Sequence, residues 1–387
     1  MIVPEIKAFE QELVAIRHHL HAHPELAFEE HQTSAFVAEK LEEWGYEVTR
    51  GIGGTGVIGT LRKGNDPRAI GLRADMDALP ITEETGLDYA SRNPGKMHAC
   101  GHDGHTTMLL GAARHLAQSD SFRGTVHLIF QPAEECISGA KRMVEEGLFE
   151  RFPCDAIFAM HNMPNVPFGQ FLFKSGAIMA ASDGAKIVMR GRGGHAATPH
   201  LTADPIVAGA GLVMALQTII SRNRDPHDAV VMTVGTFHAG TVGNVIPDHA
   251  TLTVDIRTFN AETRRFIEKR IKELARAQAE SYGVTAEIDY RNSYPVTVNS
   301  PAETEFARQV ALQYAGSDRV VTVERPYPYA EDFAYMLEAV PGTYFMMGIG
   351  DGAKLHTPQY NFNDDALVPG ASFWVRLVEE YFRNPPA

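Results

Sequence analysis

The chain has 387 residues, of which 44% are hydrophobic and 21% charged, and its formal net charge at pH 7 is -13. This composition is typical of a folded globular protein, and the length exceeds what one hydrophobic core usually organises, so we expect two domains. The acidic balance, without a Lys/Arg block, argues against nucleic-acid and membrane-surface partners and favours a small-molecule substrate.

The sequence predicts neither a transmembrane span nor an export signal. No apolar run approaches the length that a membrane helix needs, and the opening "MIVPEIKAFEQELVAIRHHL" places acidic residues within its apolar pattern. The three cysteines are Cys100, Cys136 and Cys154, an odd number that implies no disulfide framework. We therefore expect a cytoplasmic protein with free thiols.

The first part of the chain alternates between strand-like and helical segments. Apolar residues at helical spacing predict helices over 6–20 and 33–44. Strand-like runs follow in "TGVIGTL", "AIGLRAD", "GTVHLIFQ" and "DAIFAMH", with helical patterns between the later ones. This alternation predicts an α/β fold with a doubly wound mixed sheet.

Residues 181–294 have a different pattern, in which four predicted strands alternate with two long helices. That order is typical of an α+β sandwich, and the α/β pattern resumes after residue 295. We therefore predict a discontinuous domain over 1–180 and 295–387, interrupted by an inserted domain over 181–294.

The segment "CGH" pairs Cys100 with His102. Residues two apart in sequence share a face in an extended chain but diverge on a helix, so both can reach one ion only if the following helix begins after them. Asp103 is the predicted N-cap of that helix. Thiolate and imidazole together suit zinc and other borderline transition metals. A buried cysteine beside a histidine, with no metal, is the alternative for an isolated motif of this kind.

Other candidate ligands stand at or just after the ends of predicted strands. They are Asp75 and Asp77, Glu134 and Glu135, His161, and His356 on a late loop. In open α/β sheets the ligand crevice lies beyond the carboxyl ends of the strands, so we expect these side chains at one edge. Neighbours in an extended segment point opposite ways, which would direct one of the two glutamates to a metal and the other to substrate.

The remaining histidines have weaker signals. Those of the first helix and its end, His18, His19, His21 and His23, are expected on a solvated face. His105, in the first turn of its helix, is expected to support a ligand or to pack in the core.

Several motifs together resemble a known family. They are "RADMDALP", "HACGHDGHTTMLLGAA", "QPAEE", "MHNMP", "GRGGHAATPH", "GNVIPDHATLTVDIR", "EDF" and "LHTP". Over nearly the whole chain these resemble the metal-dependent amidohydrolase and peptidase family, in its hippurate hydrolase and auxin-conjugate hydrolase branch. The resemblance implies a zinc-peptidase-like catalytic domain with an inserted lid and dimerisation domain. It also implies hydrolysis of the amide bond of N-acyl amino acids by a metal-activated water.

The resemblance further implies a dinuclear centre of two divalent ions: zinc, manganese, nickel or cobalt. Its ligands would be Cys100, His102, Glu135, His161 and His356. Glu134 would be the general base. Peptidase relatives carry His-x-Asp where this chain has Asp75-Met76-Asp77, so we expect both aspartates to orient histidine ligands or a water.

The inserted domain would complete the site. His195 would reach the active site of a partner subunit and stabilise the oxyanion, which makes the enzyme a homodimer or an assembly of dimers. A histidine in a turn at a helix start is the alternative for His195. Asn244 and Arg257 would bind substrate, although Arg257 has an alternative as the partner of Asp255 or Asp248.

One departure from the family lies after "QPAEE", where relatives continue with glycines and this chain has "CISGAKRM". Cys136 would be a small residue without a special role, an oxidation-sensitive thiol or part of the acyl pocket, and we favour the first. A dipeptidase or carboxypeptidase with the same metals is the competing enzyme. A binding protein on a former enzyme scaffold is disfavoured, because a binder needs no general base such as Glu134.

Overall fold

The computed structural model describes residues 2–135 and 138–386. Its helices are α1 Pro4–Ala8, α2 Glu10–Ala22, α3 His31–Glu43, α4 His102–Gln118, α5 Gly139–Glu145, α6 Leu148–Arg151, α7 Pro205–Thr218, α8 Ala261–Ser281, α9 Pro301–Ala315, α10 Phe333–Ala339 and α11 Leu367–Arg383. Its strands are β1 Glu47–Ile52, β2 Gly56–Lys63, β3 Ala69–Asp75, β4 Gly124–Gln131, β5 Ala156–Met163, β6 Phe171–Phe173, β7 Gly176–Met179, β8 Ala181–Arg190, β9 Gly194–His195, β10 Val230–Ala239, β11 Val245–Ile246, β12 His249–Thr258, β13 Thr285–Tyr294, β14 Thr297–Asn299, β15 Val320–Thr322 and β16 Gly342–Gly348.

The chain divides into two compact units. The first comprises Met1–Ile178, Thr297–Arg325 and Asp332–Ala387, and the second comprises Met179–Val296 and Pro326–Glu331. The short segment 326–331, which the sequence pattern grouped with the flanking domain, joins the second unit because the Ala180 N–H contacts the carbonyl oxygens of Tyr327 and Tyr329, at 3.1 and 2.8 Å.

The first unit is built on a sheet with the strand order β1-β2-β4-β3-β5-β16-β6-β15. Strand β3 runs parallel to β4 and β5, and β16 runs parallel to β5, whereas β1, β2 and β4 pair antiparallel. The predicted mixed α/β sheet is therefore confirmed. Strands β3, β4 and β16 are buried along their whole length, which explains their nearly continuous apolar sequences. Because β3, β4 and β5 are parallel, their carboxyl ends meet at one edge of the sheet.

The second unit has a four-stranded antiparallel sheet in the order β10-β12-β8-β13, with α7 and α8 packed on it. Buried and exposed residues alternate along β8 and β12, as expected of a sheet with one face in a core. In the described part of the chain, residues 205–223 are the one segment long and apolar enough to cross a membrane. The prediction that no apolar run approaches this length is therefore wrong for 205–223. The segment contains α7, whose inner face, with Leu212 and Leu216, belongs to the core of the unit.

Candidate metal centre

Helix α4 begins at His102, and its N-cap is Gly101 in the left-handed conformation, with φ 93°. The prediction that the helix begins after both Cys100 and His102 is therefore wrong, because His102 is its first residue. The turn at Gly101, rather than an extended segment, brings the two side chains to the same side. A Cβ at position 101 would overlap Oδ1 of Asn162 and lie 2.7 Å from Oη of Tyr360. Glycine is therefore required here both by the backbone angle and by the space.

The prediction that Asp103 is the N-cap is wrong, because Asp103 lies inside the first turn of α4. Its carboxylate instead accepts a hydrogen bond from the ring Nδ1 of His21 at 2.8 Å, and Arg17 lies 3.6 Å away. The expected solvated position of His21 is also wrong, since its side chain is fully buried. Burial acts to lower the pKa of His21, but the hydrogen bonds to Asp103 and Glu83 outweigh it and raise the pKa to about 9. A buried ion pair thus fixes the start of α4 against α2.

The predicted metal ligands converge on Cys100. Its Sγ lies 3.5 Å from Nε2 of His161. The ligand atoms of Cys100, His102 and His161 lie within 4.8 Å of one another, and so do those of Cys100, Glu135 and His356. Oε1 of Glu135 is 3.8 Å from Nε2 of His102 and 3.3 Å from Nε2 of His356. The structure therefore gathers a thiol, three imidazoles and a carboxylate in one cluster.

His356 reaches this cluster from a loop after β16. Its backbone N–H donates to the carbonyl oxygen of Ala99 at 2.8 Å, which ties the loop beside Cys100. His356 has a φ of 60°, a left-handed conformation that costs a non-glycine residue about 1–3 kcal/mol and is concentrated at functional sites. Its side chain is 52% exposed, so it lies on the solvent side of the cluster.

The rings of the two buried candidate ligands His102 and His161 are oriented by hydrogen bonds from their Nδ1 atoms. Nδ1 of His102 donates to the carbonyl oxygen of Asp77 at 2.9 Å and lies 3.2 Å from its carboxylate, while Nδ1 of His161 donates to the carbonyl oxygen of Asn162 at 2.6 Å. Because Nδ1 is held as the donor in each ring, Nε2 is the atom that gives up its proton when a metal binds and acts as the ligand. Nε2 of His102 and Oε1 of Glu135 are buried and have no hydrogen-bond partner among the described residues. Two buried polar atoms without a partner, 3.8 Å apart, fit a bound cation.

Glu134 and Glu135 lie in a turn after β4, not in the extended segment that the sequence suggested. Ala133, just before them, has a φ of 54°. This reversal brings ligand atoms of both glutamates within 4.8 Å of that of His102. The backbone N–H of Glu135 donates to Oδ2 of Asp77 at 3.0 Å. The carboxylate of Asp77 therefore contacts two predicted ligands, the ring of His102 and the backbone of Glu135.

Asp75 at the end of β3 is surrounded by donors. It accepts from Nδ1 of His105 at 2.6 Å and from Nη1 of Arg73 at 2.8 Å, and Nε2 of His102 is 3.7 Å away. Burial alone would raise the pKa of Asp75, but the positive charges of His102, Arg73 and His105 hold it well below its usual value. Asp75 is therefore a carboxylate whose charge supports the histidines around it.

Neighbouring carboxylates make the surroundings of Cys100 and His102 electrostatically negative. Burial acts to lower the pKa of His102, but the charge of Asp75 and the contact with Asp77 outweigh it and raise the pKa to about 10. Burial, followed by the negative charges of Glu135 and Glu134, raises the pKa of the Cys100 thiol well above its ordinary value. Negative charge on neighbouring carboxylates contributes to both shifts, and a divalent cation would balance that charge.

Sequence reasoning named His105 as a supporting residue but missed the buried polar residues that accompany it behind the cluster. Nε2 of His105 lies 2.6 Å from Oδ1 of Asn162, whose amide in turn donates to Tyr360 at 2.7 Å. Arg73 donates to Gln131, and Gln131 donates to Asp332, each at 2.7 Å. These residues could have been noticed as polar residues within apolar strands, since Arg73 lies in "AIGLRAD" and Gln131 in "LIFQP".

The predicted substrate-binding residues belong to the second unit. His195 on β9 pairs with Val245, and the N–H of Ala196 donates to the carbonyl oxygen of Asn244 at 3.0 Å, so His195 and Asn244 lie side by side. Arg257 on β12 forms a two-pronged contact with Asp255, at 3.0 and 3.1 Å. Cys136 lies outside the described residues.

Comparisons with known proteins show which family the chain resembles over most of its length. Residues 71–380 match Peptidase family M20/M25/M40. The chain is 44% identical to a hippurate hydrolase of Campylobacter jejuni, covering 99% of this chain and 100% of that protein. It is 38% identical to an N-acetyl-L-cysteine deacetylase of Bacillus subtilis, covering 95% and 88%. A dinuclear metal-binding peptidase of the M20 family from Bacillus subtilis superposes with a TM-score of 0.85 at 34% identity, covering 98% of this chain and 99% of that one.

These matches extend over nearly the whole chain and through both units, so they concern the complete fold rather than an isolated motif. They confirm the resemblance that the motifs indicated and the expectation that the protein is a hydrolase. The chain belongs to Peptidase family M20/M25/M40.

Proposed function

We propose that the protein hydrolyses the amide bond of N-acyl amino acids, of the hippurate or N-acetyl amino acid type, with Glu134 as general base. The observation that carries this proposal is the convergence of four donor side chains on a fifth, Cys100, with Glu134 beside two of them. The names of two relatives support the substrate class, since one is a hippurate hydrolase and the other an N-acetyl-L-cysteine deacetylase.

The residues present fit a pair of divalent ions. Cys100 is shared by two donor sets, one completed by His102 and His161 and the other by Glu135 and His356. Thiolate, imidazole and carboxylate donors suit zinc, manganese, nickel or cobalt. When bound, such ions polarise the amide carbonyl and lower the pKa of a water ligand to about 7.

The protein's own groups supply proton transfer. The carboxylate of Glu134 is buried and has a ligand atom within 4.8 Å of those of Glu135 and His102. From this position it would take a proton from the attacking water and deliver it to the leaving amine. In this proposal Glu135 binds metal and Glu134 transfers the proton.

His195 is suited to stabilise an oxyanion. Its Nδ1 accepts a hydrogen bond from the N–H of Ala197 at 3.0 Å, so the proton of the neutral ring is on Nε2. An exposed Nε2–H is a donor for a developing negative charge on substrate. We propose that Asn244, beside it, contacts the substrate and that Arg257 exchanges part of its contact with Asp255 for the substrate carboxylate.

We propose that the second unit also forms a homodimer. The outer face of α7 exposes Val207 and Met214, the latter by 71%, and the edge strand β10 exposes Val231 and Phe237. Exposed apolar residues on a helix and an adjacent sheet edge are typical of a surface covered by a second copy. Sedimentation analysis should give twice the chain mass, and a Met214→Glu variant should shift it toward the monomer.

We propose that the protein works in the cytoplasm. Cys100 has to remain reduced to bind a metal, and Cys154 is also a free thiol. A reducing compartment keeps both in that state. Fractionation of cells that produce the tagged chain tests this, and recovery in an exported fraction would contradict it.

The deciding experiment is a substrate panel on purified protein. The enzyme is stripped with a chelator, reloaded separately with zinc, manganese, cobalt or nickel, and assayed on hippurate, N-acetyl amino acids and dipeptides. We expect turnover of the N-acyl amino acids, lost on stripping and restored by metal. A Glu134→Gln variant should lose about 10²–10⁴-fold in kcat while retaining its metal content. A clear preference for dipeptides would make the protein a peptidase instead, and full turnover by Glu134→Gln would remove the assigned base.

A further inference from the structure

Glu30 is a fully buried carboxylate at the start of α3 that no sequence motif singled out. Although it occupies the N-cap position, its side chain does not cap the helix. That task falls to Glu25, whose two carboxylate oxygens accept from the N–H groups of Gln32 and Thr33 at 3.1 and 2.9 Å. The carboxylate of Glu30 is therefore directed elsewhere.

Glu30 contacts the turn that carries the two glutamates of the site. Its Oε1 accepts from the backbone N–H of Ala133 at 2.9 Å, and its Oε2 accepts from the hydroxyl of Thr55 at 2.6 Å. Glu30 and Ala133 are 103 residues apart in sequence. Both carboxylate oxygens are thus used, one of them by the residue that immediately precedes Glu134.

Ala133 needs such support because of its backbone conformation. With a φ of 54° it occupies the left-handed region, which is unfavourable for an L-residue because its Cβ lies too close to the following carbonyl oxygen. Its N–H is held by Glu30, and its carbonyl oxygen accepts from the N–H of Gly139 at 3.0 Å. A return of Ala133 to an ordinary φ would turn the chain that follows and redirect Glu134 and Glu135.

We propose that Glu30 is a positioning residue, which holds Ala133 in the left-handed conformation and so directs Glu134 and Glu135 into the cluster around Cys100. The catalytic consequence rests on the proposed function, whereas the placement of Glu135 as a ligand is measurable without any substrate. The competing explanation is that Glu30 adds stability to the fold without affecting the site.

The test compares Glu30→Gln, Glu30→Met and Glu25→Gln. The glutamine amide oxygen still accepts from Ala133, whereas methionine fills similar space without an acceptor. Glu25→Gln is the matched control, because Glu25 is also buried and also binds backbone N–H groups at α3 but has no hydrogen bond to the turn among the described residues. Metal affinity is measured by chelator competition, and hydrogen exchange is followed in a peptide that contains Ala133.

For Glu30→Met we expect a 10- to 100-fold loss of metal affinity, a loss of similar size in kcat with KM changed less than twofold, and faster exchange at Ala133. Glu30→Gln should recover most of each quantity. Glu25→Gln should lower the melting temperature but leave metal affinity within twofold of wild type. Adding Ala133→Gly to Glu30→Met should restore part of the affinity, because glycine adopts a positive φ without strain.

Wild-type metal affinity and exchange in Glu30→Met, or equal losses in Glu25→Gln, would overturn the proposal. If Glu30→Met does not fold, hydrogen exchange in the wild-type protein tests the proposal. Exchange of the Ala133 amide as fast as that of a loop amide without a hydrogen bond would also overturn the proposal. A wild type that binds metal but hydrolyses no N-acyl amino acid refutes the proposed function alone, because affinity and exchange still test the role of Glu30.

Discussion

Replacement of Asp77 by asparagine tests how the cluster is held. Asp77 presents one oxygen to Nδ1 of His102 at 3.2 Å and the other to the N–H of Glu135 at 3.0 Å. Asparagine has the same shape but only one acceptor oxygen, so its NH₂ group must face one of these two donors. Whichever way the amide turns, one predicted ligand loses its support.

The size of the effect follows from the contacts. A hydrogen bond to a charged group contributes roughly 1.5–3 kcal/mol. Removal of the outer partner of a metal-binding histidine typically costs 10- to 100-fold in affinity, which is about 1.4–2.7 kcal/mol. The carbonyl oxygen of Asp77 still accepts from His102 at 2.9 Å, so we expect a loss near the lower end of this range.

The assay is zinc affinity of the stripped protein, measured by competition with a chelator of known affinity. Asp155→Asn is the control, because Oδ2 of Asp155 accepts from the backbone N–H of Ala69 at 2.7 Å, at the opposite end of β3. Affinity of Asp77→Asn within twofold of wild type would refute the reasoning, as would an equal loss in Asp155→Asn.

Three further changes have defined outcomes. Gly101→Ala should lower the free energy of unfolding by more than about 2 kcal/mol and abolish metal binding, because the added Cβ overlaps Asn162 and a φ of 93° is unfavourable for alanine. Calorimetry and metal titration measure the two effects. A melting temperature equal to that of the wild type would contradict this prediction. Burial lowers the pKa of His127 to about 4, so between pH 6.5 and pH 4 the unfolded chain binds a proton that the folded chain does not, and the free energy of unfolding decreases by up to about 3 kcal/mol as the pH is lowered through this range. His127→Gln should flatten that part of the stability curve, and an unchanged pH dependence would show that other groups cause it. His195→Ala should lower kcat about 10²–10³-fold with unchanged metal affinity, whereas a parallel loss of metal would argue against a role on substrate.

The class of fold and the neighbourhood of the site could be inferred from the amino-acid sequence. Continuous apolar runs are what fully buried parallel strands require, and polar residues at the ends of such runs in β3, β4 and β5 are carried to one edge of the sheet. For that reason Asp75, Glu135 and His161 could be grouped from the sequence. The family motifs were equally readable, because they lie in short contiguous segments.

Tertiary structure alone decided how those side chains are aimed. The left-handed residues Gly101 and Ala133 turn the chain where the sequence suggested extended backbone, so the N-cap assigned to Asp103 and the opposed directions of the two glutamates were wrong. The burial of His21 and the contact of Glu30 with Ala133 join segments far apart in the chain. Periodicity records whether a residue is buried, but the partner of a buried polar group is fixed only when distant segments pack together.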